Sequence, residues 1–389
     1  MFFNRLILPD LEQALKSFPV VLLTGPRQTG KTELLKHSFP YSYFTLDALD
    51  VRAQAVRDPR SFFVSEEKKL IIDEIQEAPE LLSYVKEFVD AHREARVILT
   101  GSHQFHLMKG VSESLAGRVA IFNLLPFSWK EIQASPFIDI TSPTLLGELL
   151  LKGLYPAVQT TPDLNLDLWF SSYVNTYIER DLRQQVAIRD LRSFEHLLQL
   201  LASRIGQELN VHSLGKELGL TDVTLKTWIS ALEAAFIIHL LPPYYQNFGK
   251  RVVKTPKLYF YDTGLVCYLT RIKTGEQALA GPLAGPLFEN FVINEKIKER
   301  VFAGQKPSLY FWRSHDGLEV DLIEEEGLSL SAYEIKLSHT VTESHGSNLK
   351  RFAHYAKKPV ERMTLISQSL KPALPPPLLH EHWQEVGKK

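Results

Sequence analysis

Cysteine is almost missing from this chain. Cys267 is the one thiol in 389 residues, which excludes an internal disulfide and a thiolate zinc cluster and suits a reducing compartment. Charge of one sign is missing too: 44 Lys and Arg face 45 Asp and Glu, for a net charge of -1. No global field therefore draws the protein onto nucleic acid or anionic lipid, and any such contact must come from a local patch. No apolar run approaches the length needed to span a bilayer. The opening MFFNRLILPDL is interrupted by Arg5 and by Pro9-Asp10, too early for a signal peptide. These absences predict a soluble, cytoplasmic protein with no membrane partner. What is present is ordinary globular text, 44% hydrophobic and 23% charged, long enough for two or three domains.

Short apolar runs alternate with helix-forming stretches over the first 125 residues: VVLLT (20–24), YSYFTL (41–46), KLIID (69–73) and RVILTGS (96–102). Strands alternating with helices predict a mostly parallel sheet covered on both faces, the α/β core of a P-loop NTPase. The character changes after Pro126. Residues 126–193 read as a helical lid or connector, and 194–273 as short helices punctuated by Gly206, Gly215 and Gly219. TGEQALAGPLAGP (274–286) reads as a linker. Beyond it, 285–389 reads as a second, smaller α/β unit ending in a proline-rich extended tail.

The octapeptide Gly25-Pro26-Arg27-Gln28-Thr29-Gly30-Lys31-Thr32 has the phosphate-loop pattern at each fixed position and lies between a strand and a helix. Gly25 and Gly30 let the backbone turn tightly and aim N–H groups at phosphate oxygens, and the helix opening at Lys31 adds its positive end. Lys31 supplies charge for the β and γ phosphates, and the Thr32 hydroxyl is a magnesium ligand. Asp73 and Glu74 close an apolar strand 41 residues after Thr32. The carboxyl ends of neighbouring parallel strands line one crevice, so Asp73 can reach the same metal while Glu74 orients the attacking water as general base. Ser102 ends the next strand and suits a γ-phosphate sensor, or a simple strand-to-loop turn. Arg118, in SLAGRVAIF, reads as an arginine finger acting across a subunit boundary in a homo-oligomer, or as a surface residue. The implied cofactors are ATP and Mg2+.

GPRQTGKT, LIIDEIQ, ILTGSHQF and LAGR, in this order, resemble the AAA+-type ATPases of bacteria and archaea whose carboxy-terminal region was catalogued as a domain of unknown function. The later stretches YVNTYIERDLRQ and KTPKLYFYDTGL are similar to the same family. The resemblance covers nearly the whole chain and implies ATP binding. His103 stands where the family's pattern has Asn.

Residues 209–245 have a helix–turn–helix layout, with one helix ending at Gly219 and Thr221-Asp222 capping the next. A DNA-reading helix shows several basic or amide side chains, and this one offers only Lys226 and Thr227. The wing-like stretch after it carries Lys250, Arg251, Lys254 and Lys257, which suits sequence-independent phosphate contacts with DNA. Packing or protein contact is the other reading.

Glu289 on a helix, Asp321 in GLEVDLIEE and Glu334-Ile335-Lys336 in AYEIKL form a second acidic set. Glu334 and Lys336, two apart on a strand, share a face, and a hairpin between 324 and 332 would bring Asp321 beside them. The order resembles the PD-(D/E)xK nuclease core, a restriction-endonuclease-like fold. It implies that Glu289, Asp321 and Glu334 hold magnesium and that Lys336 steadies the attacking water. The leading expectation is an ATP-hydrolysing protein that acts on or senses nucleic acid and carries a nuclease-like domain. The alternative is an ATP-gated interaction or scaffold protein whose carboxy-terminal domains bind without cleavage.

Overall fold

Val20 and Leu22 enter one apolar cluster and Val21 and Leu23 another, so the first strand is buried on both faces, as a central parallel strand requires. The computed structural model describes residues 2–63, 67–101, 110–111, 113–136, 138–178, 190–245, 254–370 and 372–387. Strands β1 (Val20–Thr24), β2 (Ser42–Thr45), β3 (Lys69–Asp73), β4 (Arg96–Thr100) and β5 (Val119–Asn123) form one sheet in the order β2-β3-β4-β1-β5. Every pairing is parallel. Their carboxyl ends therefore share one edge, where Thr24, Asp73, Thr100 and Asn123 stand.

Between Leu145 and Leu269 the described residues are mainly helical, with β6 (Ile238–Leu241) and β7 (Lys257–Phe260) pairing antiparallel among them. Helices Leu191–Ser203, Val211–Leu218 and Asp222–Ala234 precede that pair, and Glu208 adds an isolated bridge to Lys257. The stretch 274–286 is no linker. It forms helix Gly275–Ala280, which packs on helix Leu145–Lys152, and then the start of the helix Ala284–Phe302. The small residues that suggested a linker serve a close helix contact instead: a Cβ on Gly147 would meet the Gly275 carbonyl oxygen at 2.8 Å.

The second sheet has the order β12-β11-β10-β9-β8. It comprises β8 (Leu309–Arg313), β9 (Glu319–Glu326), β10 (Ser329–Lys336), β11 (Val360–Ser367) and β12 (Leu378–His382). The hairpin of β9 and β10 is antiparallel with Leu322 opposite Tyr333, which sets Asp321 across from Glu334. The tail does not end as plain extended chain, since β12 closes the sheet parallel to β11. Helix Ala284–Phe302 is buried on nearly every side, the condition of a helix at the centre of a domain stack. Its Asn290 and Asn294 amides donate to the Phe260 carbonyl at 2.9 and 2.7 Å, and so fasten β7. Among the described residues no helix is long and apolar enough to cross a membrane.

Candidate functional site

The loop after β1 turns at Gly25 (φ 140°), where a Cβ would run into the Leu124 carbonyl oxygen, and again at Gly30 (φ 86°). Only glycine meets both demands without strain. Lys31 opens the next helix, Lys31–Ser38, and is buried, its Nζ donating to the Gly25 and Pro26 carbonyls at 3.0 and 2.8 Å. Its ammonium is thus folded into the loop. The Thr32 hydroxyl donates to Asp73 Oδ2 at 2.8 Å across the gap between the helix and β3. The structure thus brings Thr32 and Asp73, the two expected magnesium ligands, into contact.

Two further hydroxyls converge on Asp73. Tyr43 on β2 donates to Oδ2 at 2.6 Å, and Thr100 at the end of β4 donates to Oδ1. Burial, then Asp73 as acceptor, push the Tyr43 phenol up from its ordinary value, so it stays a donor. Three donors on one carboxylate hold it in a single orientation. Tyr43 was not legible as a site residue, because periodicity reveals a strand but not that β2 neighbours β3.

Glu74 adopts a left-handed conformation (φ 57°, ψ 47°), a strained backbone for a residue with a Cβ. Gln76 donates to its carboxylate and Thr100 Oγ1 accepts its N–H at 3.3 Å. Glu74 lines a cavity of about 320 Å³ together with Arg27, Gln28, Thr29, Gly30, Lys31, Thr32, Pro156 and Tyr177. The cavity thus joins the loop to the helical region. Gln28 Nε2 donates to the Tyr177 hydroxyl at 2.8 Å, and the Arg27 guanidinium lies 5.5 Å from the centre of the same ring. The loop, the hydroxyl and the two acids have the chemistry that MgATP requires: anion-seeking amides, a fixed cation and hard oxygen ligands.

Arg118 lies elsewhere. It precedes β5 and so stands at the amino edge of the sheet, one strand length from the phosphate loop, in a two-pronged ion pair with Asp90 at 2.6 and 3.0 Å. It is not part of its own chain's phosphate site and could reach a phosphate only in another subunit, after releasing Asp90. Ser102 falls outside the described residues.

The second acidic set does come together, with two lysines among the carboxylates. Lys336 Nζ lies 2.7 Å from Glu334 Oε1 and 3.5 Å from Asp321 Oδ2, and the Ile335 N–H donates to Asp321 at 2.7 Å. Glu289 accepts from Tyr259 at 2.5 Å and from Lys257 at 3.3 Å, and Lys257 also bonds Glu319 at 2.5 Å. Burial, reinforced by Asp321, pushes the Glu289 carboxyl up to about 7 and the Glu334 carboxyl up to about 8. Burial alone would lower Lys336, but Asp321 and Glu334 outweigh it and push it up. Glu334 Oε2 is buried and makes no hydrogen bond.

This geometry corrects two expectations. Lys257 is no wing residue for DNA: it is 3% exposed and spent on Glu289 and Glu319. Lys254 is exposed, while Lys250 and Arg251 lie outside the described residues. Nor do Glu289, Asp321 and Glu334 stand as a ready three-ligand metal centre. Among the described residues no group of three His, Cys, Asp or Glu side chains is placed to hold a metal ion, and Lys257 and Lys336 each stand against the acids, on one oxygen of Glu289, of Asp321 and of Glu334.

The fold and loop define the amino-terminal class: residues 17–133 match the family described as AAA domain. Residues 143–276 and 284–373 match two families described as domains of unknown function, DUF8612 and DUF4143. The chain is 31% identical over 346 residues to Uncharacterized protein Rv2008c of Mycobacterium tuberculosis, covering 87% of this chain and 75% of that protein. The same figures hold for Uncharacterized protein Mb2031c of Mycobacterium bovis. The chain belongs to the family of these mycobacterial proteins. Among solved structures, it overlaps a Signal Transduction ATPase with Numerous Domains protein from Pyrococcus horikoshii with a TM-score of 0.29 and 12% identity, over 77% of this chain and 47% of that one.

Proposed function

We propose that this protein hydrolyses ATP at the Gly25–Thr32 loop and couples that reaction to nucleic acid through its carboxy-terminal half. The observation that carries the first part is the Thr32–Asp73 hydrogen bond of 2.8 Å beside the cavity that Glu74 shares with the loop. Gly30 and the amides around it bind phosphate oxygens, and Lys31 turns its ammonium from two loop carbonyls to the phosphates. Glu74 orients a water and takes its proton. Thr32 and Asp73 would hold magnesium, which when bound neutralises charge on the phosphates.

The nucleic-acid half of the proposal rests on two features. Three helices, the Glu208 bridge and the β6–β7 pair have the order of a winged helix, a fold that places a basic loop beside DNA. The carboxy-terminal sheet has Asp321 on one strand and Glu334 and Lys336 on the next, the residue types that a PD-(D/E)xK site uses, and Glu334 Oε2 is a buried oxygen without a hydrogen-bond partner, which supports a cation-binding reading. A specific observation favours a second reading, binding without cleavage: Lys257 and Lys336 already neutralise the acids. One sample decides between them. ATP turnover and cleavage are followed together while duplex or single-stranded DNA is added, with magnesium present. In the nuclease reading Asp321→Ala eliminates cleavage and leaves ATP turnover within about twofold. Stimulated turnover with no cleavage by wild type establishes the binding reading, and no stimulation by any nucleic acid removes both.

Assembly is testable by mixing. If Arg118 serves a neighbouring subunit, Arg118→Ala and Lys31→Ala proteins, each inactive, regain turnover together, since a transition-state arginine supplies about 10³–10⁵ in rate. Full turnover by Arg118→Ala alone shows that the residue remains with Asp90.

A further inference from the structure

Arg5 is 5% exposed, although it stands near the start of the chain. A buried guanidinium must have its donors matched, and here each of its three nitrogens has a separate partner. Its Nε pairs with Glu131 Oε1 at 2.9 Å, and one terminal nitrogen donates to the Leu125 carbonyl at 2.8 Å. The other donates to the Thr29 carbonyl of the phosphate loop at 2.8 Å. The Phe127 and Phe302 rings lie 4.9 and 5.7 Å from its Cζ. Glu131 is itself fixed, accepting from the Leu6 and Ser128 N–H groups at 2.7 and 2.8 Å and closing a capping box with Ser128.

The bond to Thr29 has a directional consequence. A trans peptide is planar, with the carbonyl of one residue and the N–H of the next pointing in opposite directions. Holding the Thr29 carbonyl therefore aims the Gly30 N–H the opposite way, away from Arg5. Thr29 lies between two left-handed residues, Gln28 (φ 66°) and Gly30 (φ 86°). The first helix bond of this stretch, from the Leu34 N–H to the Gly30 carbonyl at 2.9 Å, belongs to the following peptide, and the Thr29 hydroxyl is spent on the Pro26 carbonyl at 2.9 Å. Lys31 donates to the Gly25 and Pro26 carbonyls, not to this one.

We propose that Arg5 is a positioning residue for nucleotide binding: through the Thr29 carbonyl it sets the direction of the Gly30 amide, one of the donors that hold phosphate. The inference rests on the loop's binding ATP and adds a residue outside the phosphate-loop motif to that site. It also predicts a particular kinetic split. An amide that cradles phosphate acts in the ground state as well as the transition state, so its loss raises KM more than it lowers kcat.

The decisive variant is Arg5→Met with Glu131→Gln. It removes both buried charges together, which the fold tolerates far better than removing one, and Gln still serves a capping box. Steady-state ATP turnover and nucleotide-free thermal unfolding are measured on wild type, the double variant and Arg5→Lys. The expected result is a KM for ATP raised about tenfold or more in the double variant, with kcat within about threefold and a melting temperature near that of wild type. Arg5→Lys, which keeps the charge but replaces the three-nitrogen fork with a single ammonium, falls between. A folded double variant with the wild-type KM overturns the proposal. So does a variant whose melting temperature falls while its KM does not move, which is the signature of a purely structural ion pair. Should the double variant not fold, Arg5→Lys with a wild-type KM overturns it equally. Wild type that binds no ATP, with or without Lys31→Ala for comparison, defeats the ATPase reading itself and this proposal with it.

Discussion

Glu74→Gln should bind ATP as tightly as wild type and hydrolyse it about 10²–10⁴ times more slowly, the usual contribution of a general base. The substitution keeps the size and hydrogen-bonding reach of the side chain and removes only its ability to take a proton. Lys31→Ala is the contrasting control. It deletes the one ammonium folded into the loop and should abolish binding. Single-turnover measurement separates the two, because Glu74→Gln still retains nucleotide on the protein. The left-handed backbone of Glu74 sharpens the expectation: a residue strained at the end of a strand is held there by its surroundings, so the glutamine will occupy the same place. Hydrolysis at the wild-type rate would transfer the base's role to another group.

Lys257→Met should destabilise the carboxy-terminal half in a pH-dependent way. Methionine replaces the stem over the Phe311 ring, which lies 5.5 Å from the Lys257 nitrogen, but leaves Glu289 without its cation and Glu319 with only Arg313, 3.8 Å away. Breaking a buried pair on one side costs about 3–5 kcal/mol, and we expect the lower end at pH 8.5 because Glu319 still reaches water. The sign with pH follows from Glu289. Its folded-state value, about 7, lies above its ordinary one. Folded protein therefore holds a proton that the unfolded chain has released, and stability falls as pH rises from about 4.5 through 7. Glu334, raised to about 8, extends the same trend upward. Without Lys257, Glu289 keeps its proton more strongly, so the deficit shrinks at pH 6 and grows toward pH 8.5. Thermal unfolding of both proteins across that range tests this, and a deficit independent of pH would refute it.

Much of the phosphate site was legible because its parts are local. GPRQTGKT needs only the strand before it and the helix after it, and KLIIDE names its two acids by where an apolar run stops. Even the pairing of Asp321 with Glu334 followed from one hairpin. The missed residues all depend on which element lies beside which. Tyr43 reaches Asp73 because β2 is the neighbour of β3. Arg5 reaches Thr29 across 24 positions. Lys257 was misread for the same reason: counted with Lys250, Arg251 and Lys254 it belongs to a basic run, while its strand register turns it inward onto Glu289. Charge clustering along a sequence does not say which way each side chain points. The linker reading of 274–286 failed because small residues mark flexible chain and tight helix contact alike.

The helix Ala284–Phe302 also bears on how this protein could change over evolutionary time. A family boundary falls at its first residue, as if the region beyond it were a unit that could be exchanged. Yet Glu295 accepts the Trp129 N–H at 2.6 Å, Lys298 donates to the Phe127 carbonyl at 2.8 Å, and Asn290 and Asn294 grip β7. A transplanted tail would arrive with donors and acceptors cut to fit another host, each of them buried. Recombination at that boundary should therefore yield few viable chimaeras, and the three regions should be inherited as one block, with compensating substitutions falling in pairs on either side of the helix.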